Sequence, residues 1–228
     1  MSACAGRSIG DPALDCPLGS GRTYQTNLFR RAEPAIDTTF RSLRRVHLDA
    51  DAWLDIVPGW LANDAALFEE LERTCDWTQR KRWLYEQERI EPRLTSSWSV
   101  ASGAPLEPAI LETMRCLLSE RYDVSFDSVG FNLYRDGQDS VAWHRDKIRQ
   151  EVETPIVPLV SLGEARKLLF RPLGGGQSRA FSAGRGDLLV TGGTAQWTWE
   201  HAILKVARAG PRISIAFRYG MRPRAYRA

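Results

Sequence analysis

His144 and Asp146 stand one residue apart in the stretch Ser140-Val-Ala-Trp-His-Arg-Asp146. On an extended segment such a pair projects to one side, and an imidazole beside a carboxylate is a donor set that suits a divalent iron. A third protein ligand is then needed. The 228-residue chain has 3 histidines, so the candidates are His47 and His201, and His201 lies in the β-rich half, opening an apolar run after Gly192-Gly-Thr-Ala-Gln-Trp-Thr-Trp-Glu200. Two histidines and one carboxylate leave the remaining octahedral positions open for oxygen and a chelating cosubstrate. Taken alone, His-x-Asp reads more readily as a core histidine beside a capping aspartate, and it is the ordered partners downstream that favour a metal.

A second pattern lies downstream. Arg212-Ile-Ser-Ile-Ala-Phe-Arg218 alternates polar and apolar residues, so on a strand Arg212, Ser214, Ala216 and Arg218 share one face while Ile213, Ile215 and Phe217 share the other. An arginine fork grips a carboxylate through two parallel hydrogen bonds and keeps its charge. Two of them with small residues between leave room for a dicarboxylate beside a metal. Asn132 and Tyr134 share a face of the strand leading into the His-x-Asp turn and offer further donors.

These residues need a β-scaffold. Beyond Tyr122 the chain reads as short β-rich runs, 124–134, 156–162, 167–171, 178–181, 187–191, 201–206 and 212–219, separated by glycine-bearing turns. That spacing predicts a closed or sandwiched β-structure. Short apolar runs over 40–57 predict more strands. Helical spacing predicts a helix within 58–74, capped by Asn63 and burying Leu67, Phe68 and Leu71, and another over 107–122 with Ile110, Leu111, Met114, Leu117 and Leu118 on its stripe. Residues 1–30 read as a poorly ordered leader, and 31–228 as a single domain.

Composition narrows the class. At 43% hydrophobic the chain can bury one sizeable core. Its net charge of +3 is too small to demand a polyanionic partner, but basic residues cluster at Arg44–Arg45, Arg80–Arg82, Arg89, Arg93 and the C-terminal end. Cys4, Cys16, Cys75 and Cys116 form no CxxC pair, which argues against structural zinc and a disulfide framework. With neither a long apolar run nor a signal-like start, the chain is expected to be soluble and cytoplasmic, with no membrane partner. Nothing demands a second subunit, so a monomer is expected.

Taken in order, Asn132-Leu-Tyr134, His144-Arg-Asp146, His201 and Arg212 to Arg218 resemble the AlkB family of Fe(II)- and 2-oxoglutarate-dependent dioxygenases, which act on alkylated nucleic acids. The likeness extends through 155–172 and 186–203 and covers roughly residues 90–220. It implies an α+β, mainly β fold: a double-stranded β-helix, or jelly-roll, core over about 122–220, flanking helices, and an N-terminal nucleotide-recognition lid over about 76–104. By the resemblance, His144, Asp146 and His201 ligate Fe(II), and His47 is a bystander. Arg212 pairs with one carboxylate of 2-oxoglutarate, Arg218, Asn132, Tyr134 and Ser214 help to hold it, and O2 is the other cosubstrate.

The activity so implied is oxidative demethylation of bases such as 1-methyladenine and 3-methylcytosine in DNA or RNA, with 2-oxoglutarate leaving as succinate and the alkyl group as an aldehyde. A base inside a duplex cannot reach a buried iron, so the target must be flipped or single-stranded and sandwiched by aromatic rings. Trp98, closing Glu91-Pro-Arg-Leu-Thr-Ser-Ser-Trp98, is the expected stacking residue, with Trp83 and Tyr85 as further candidates. Lys147 is expected to meet a phosphate, and Arg171 to stand at the pocket mouth. Lys147 and Ile148 occupy positions where many relatives carry an acidic residue that reads the base. The competing readings are the same chemistry on a protein side chain or small molecule, and a non-catalytic nucleic-acid-binding β-domain. The complete ligand set and the two arginines argue against the latter.

Overall fold

The computed structural model describes residues 32–84 and 87–221, and of 82–84 and 87–89 the backbone alone. The predicted leader and Tyr85 therefore lie outside the described residues, as does the side chain of Trp83. In chain order the elements are β1 (Ala35–Ile36), β2 (Arg44–His47), β3 (Ala52–Val57), β4 (Leu61–Ala62), α1 (Asp64–Thr74), β5 (Thr78–Leu84), β6 (Gln87–Ser99), α2 (Ala109–Tyr122), β7 (Ser128–Tyr134), β8 (Val141–His144), β9 (Val157–Gly163), β10 (Arg166–Pro172), β11 (Arg179–Ala183), β12 (Asp187–Gly193), the single turn α3 (Ala195–Thr198), β13 (Trp199–Ile203) and β14 (Arg212–Arg218). No helix among the described residues is long and apolar enough to cross a membrane.

The strands form a major sheet, β2-β3-β12-β9-β14-β7-β6-β5, and a minor sheet, β11-β10-β13-β8, beside a small β1-β4 ladder. The pairings within both sheets are antiparallel. This is the jelly-roll predicted from the ordered motifs.

Strand alternation then sorts the side chains into two cores. Ile213, Ile215 and Phe217 of β14 join Val129, Phe131 and Leu133 of β7 in a core completed by Leu67 and Leu71 of α1 and Leu111, Met114 and Leu118 of α2. The helices thus cover one face of the major sheet. The other face meets the minor sheet through Leu54, Ile56 and Leu189 on one side and Leu168, Phe170 and Ile203 on the other. A fully buried leucine contributes about 1.5–3 kcal/mol relative to exposure, so the apolar stripes hold the helices in place. Capping does not: Asn63 has a left-handed φ of 58° and no capping bond from its side chain, which instead donates to the Glu33 carbonyl at 3.1 Å. Leu117, expected on the stripe of α2, is only half-buried.

Several elements were absent from the prediction, among them the short β1 and β4. The span expected to form a lid is a long antiparallel hairpin, β5 against β6, and β6 continues the major sheet alongside β7. β8 and the turn α3 were also unforeseen.

A candidate metal and cosubstrate site between the sheets

β8 and β13 pair with His144 directly opposite His201, and the two ring centroids are 4.3 Å apart. His201 is also registered with Phe170, a residue of the core between the sheets. Asp146 follows β8 by two residues, with its side chain only 9% exposed. Arg218 Nε donates to its Oδ1 at 3.0 Å. Burial by itself would raise the Asp146 pKa, but the Arg218 guanidinium leads the charges that hold it below the usual carboxylate range. Burial pushes His201 down to about 3 and lowers His144 as well. Both rings are accordingly neutral near pH 7.

Neutral imidazoles and an ionised carboxylate are the protonation states that metal ligation requires. The tautomer also fits. His144 Nδ1 lies 2.8 Å from the Ala142 carbonyl, and since a carbonyl only accepts, that nitrogen carries the proton and Nε2 keeps its lone pair for an ion. Among the described residues no three such donors converge closely enough to hold a metal ion as they stand, and the carboxylate of Asp146 is engaged by Arg218. In donor type, protonation and burial the trio fits a divalent iron.

The neighbouring strands supply an anion cradle. Arg212 is fully buried, and its Nε donates to Ser161 Oγ at 2.8 Å. Both Nη atoms are buried without a hydrogen-bond partner, and burial lowers this guanidinium's pKa to about 10, so it is charged at neutral pH. Orphaned buried donors of this kind cost about 1–3 kcal/mol each unless an acceptor meets them. A carboxylate is the acceptor whose shape matches the fork. Tyr134 is the cross-strand partner of Arg212, and Asn132 that of Ser214, with Asn132 Nδ2 donating to Ser214 Oγ at 3.3 Å. Asp146, His201, Ala216 and Arg218 help line a cavity of about 30 Å³ between the sheets. Apolar side chains from both sheets, Leu54 and Leu189 on one side and Leu168 and Phe170 on the other, line the rest of it.

Three expectations about substrate residues meet different outcomes. Trp98 is registered with Val129 and packs on the core beneath the helices, the opposite side of the sheet from Asn132 and Tyr134. Its indole N–H is used by the Ala104 carbonyl at 2.8 Å, so it is not placed to stack a base at the site. Arg171 is likewise on the far face of its sheet: it pairs with Glu200 through Nε at 2.6 Å and lies over Trp143 at 4.1 Å. It is not at the pocket mouth. Lys147 is exposed next to Asp146, and His47 is exposed on the edge strand β2.

The structure also brings in Ser161 and Gln196, which sequence reasoning passed over, and Arg93, which it read only as part of a basic cluster. Arg93, 7% exposed, donates through Nη1 to the Tyr134 hydroxyl at 3.3 Å. Ser161 holds Arg212. Gln196, 2% exposed, bonds the backbone of Asp146 at 3.1 Å. A usable signal existed for Arg93: Glu91, Arg93 and Thr95 recur with the two-residue period of a strand.

Residues 56–218 match the 2OG-Fe(II) oxygenase superfamily. The chain belongs to that superfamily. Within it, the resemblance to the AlkB family is borne out by the relatives. The chain is 29% identical over 184 residues to "Alpha-ketoglutarate-dependent dioxygenase alkB homolog 3" of Bos taurus, covering 72% of this chain and 64% of that protein. It is 28% identical to the Homo sapiens protein of the same name, covering 67% and 60%. It is 26% identical to "DNA oxidative demethylase ALKBH2" of Homo sapiens, covering 67% of each. The chain thus spans less than two thirds of the length of the alkB homolog 3 proteins. Of solved structures, OsALKBH1 shares the fold with a TM-score of 0.57 at 13% identity, covering 76% of this chain and 100% of that one. A 2OG-Fe(II) family oxidoreductase from Burkholderia pseudomallei shares it at 0.54 and 15%, covering 76% and 88%.

Proposed function

We propose that the protein is an Fe(II)- and 2-oxoglutarate-dependent dioxygenase that removes alkyl groups from base nitrogens in DNA, with RNA as an alternative substrate. The observation that carries this reading is the unpartnered, buried Arg212 fork on β14, the strand whose other end brings Arg218 to an ionised Asp146, together with a neutral histidine pair.

In this reading His144, Asp146 and His201 would hold the iron, and Arg212 would take one carboxylate of 2-oxoglutarate, with Asn132, Tyr134 and Ser214 on the same face. Bound there, Fe(II) with 2-oxoglutarate and O2 would supply the oxidising power to hydroxylate the alkyl carbon attached to the base nitrogen, after which that carbon leaves as an aldehyde. The chain's own share is to bind and orient. Arg218 keeps Asp146 ionised. The apolar side chains Leu54, Leu168, Phe170 and Leu189 around the cavity exclude bulk water from the oxidising centre. Lys147, exposed one residue beyond Asp146, would meet a phosphate of the nucleic acid. The β5/β6 hairpin serves as the lid.

The test is succinate release with Fe(II) and 2-oxoglutarate on DNA and RNA oligonucleotides bearing 1-methyladenine or 3-methylcytosine. Wild type should turn over and Asp146→Ala should fall to background. Turnover that survives the substitution overturns the metal set, and turnover indifferent to oligonucleotide moves the substrate to a protein side chain or small molecule. Salt-dependent oligonucleotide binding without metal uptake would make this a non-catalytic binding domain.

A further inference from the structure

Residues 145–147 belong to no strand: they span the gap between the end of β8, where His144 pairs with His201, and an isolated antiparallel bridge from Ile148 to Met221, so no strand ladder holds Asp146 itself. Something else must, if its carboxylate is to meet an ion from a defined direction. Gln196 Oε1 accepts the Asp146 backbone N–H at 3.1 Å, and its Nε2 donates to Thr191 Oγ1 at 3.0 Å. The backbone N–H can only donate, which fixes how this amide is oriented. Thr191 belongs to β12, which lies between β3 and β9 in the interior of the major sheet. The side chain of Gln196 is therefore a tether from that sheet to the His-x-Asp segment.

The turn that carries Gln196 makes a second bond to the same segment, since Arg145 Nη1 donates to the Trp197 carbonyl at 3.0 Å. It begins at Gly193, whose φ is +62° and whose added Cβ would meet the Asp51 carbonyl at 1.9 Å. Thr194 N–H donates to that same carbonyl at 3.0 Å. One turn later the chain enters β13 and reaches His201. The strand bearing one histidine thus begins from the turn that grips the aspartate.

We infer that Gln196 is a positioning residue for the metal centre: through the Asp146 amide it sets the carboxylate's direction and ties it to the strand of His201. This rests on reading His144, Asp146 and His201 as metal ligands. The test uses Co(II), which takes the same nitrogen and oxygen ligands, with binding measured by calorimetry and geometry by its visible absorption. Gln196→Met keeps the length of the side chain and removes both bonds. Thr191→Val removes the anchor, together with a long bond from the Thr191 hydroxyl to the Val157 carbonyl at 3.5 Å, and leaves the Gln196–Asp146 bond in place.

Wild type should bind Co(II). Asp146→Ala should bind far more weakly, Gln196→Met about 10–100-fold more weakly with an altered absorption, as for other groups that orient a ligand, and Thr191→Val should weaken binding in the same direction by less. Wild-type affinity and spectrum in both Gln196→Met and Thr191→Val overturn the inference. Should Gln196→Met fail to fold, Thr191→Val alone decides in the same two ways. If Asp146→Ala matches wild type, the ligand reading itself fails and takes this inference with it. Binding lost in Asp146→Ala but kept in both tether variants rejects the tether alone.

Discussion

Burying the Arg212 guanidinium with Ser161 Oγ at its Nε and nothing at either Nη removes a charge from water with no anion to compensate. Its lowered pKa means that the folded chain disfavours the charged form, so folding at neutral pH carries that cost. Arg212→Met fills similar volume without the charge and is expected to leave thermal stability unchanged or raised. It should also abolish 2-oxoglutarate binding, measured by titration in the presence of a divalent metal. Arg212→Lys keeps the charge but loses the fork, and should raise KM for 2-oxoglutarate about 10–100-fold, the equivalent of about 1.5–3 kcal/mol for a charge-assisted bond. The role of Arg212 was legible because period-two alternation says which residues share a face. Trp98 and Arg171 were misplaced for the complementary reason: alternation does not say which of the two faces turns inward. Gln196 was illegible because its partners, Thr191 and the amide of Asp146, are set by tertiary contact.

The connection between β7 and β8 decides where His144 lies relative to Tyr134, and it is held by an ion pair between the half-exposed Arg135 and the buried Asp139. Arg135 donates from Nε to Asp139 Oδ2 at 2.8 Å and from Nη2 to Oδ1 at 2.9 Å. Arg166, 4% exposed, donates to the carbonyls of Asp136, Asp139 and Leu204. Burial would raise the Asp139 pKa, but the bond from Arg135 and its charge hold it below the usual 3.8. A depressed carboxylate stabilises the fold above its ordinary pKa, and that contribution is lost as pH falls through the folded value. Asp139→Asn should therefore cost about 1–3 kcal/mol near neutral pH, and denaturant titrations should show the gap from wild type closing at a pH below the carboxylate range. A gap that persists in acid would assign the loss to packing. Most strands of the core were legible from apolar runs between glycine turns. The hairpin of β5 and β6 was not, because its charged run carries no apolar period and strand formation there is imposed by pairing with β7.

At the scale of the molecule, the helices and their core lie on one side of the major sheet, while the site lies on the other, between sheets contributed by distant stretches of chain. Asp146, His201, Leu54, Leu189 and Arg218 belong to different segments and line one cavity. A ligand gripped there cross-links both sheets and must stabilise the whole fold, since the unfolded chain has no such site. At a hundredfold excess over Kd the gain is about 2.7 kcal/mol. For a chain of this size roughly 2–4 °C per kcal/mol is expected, hence a rise of about 5–10 °C in Tm when Co(II) and 2-oxoglutarate are added together. The two contributions separate by variant. Arg212→Met should keep the shift produced by the metal and lose the increment from 2-oxoglutarate, whereas Asp146→Ala should lose the metal's shift. Leu118→Ala, on the helix side, should lower the starting Tm through a cavity loss of about 2–5 kcal/mol and leave both ligand shifts intact. A ligand shift reduced by Leu118→Ala as strongly as by Arg212→Met would show that the two cores are not energetically separate, against the layered arrangement.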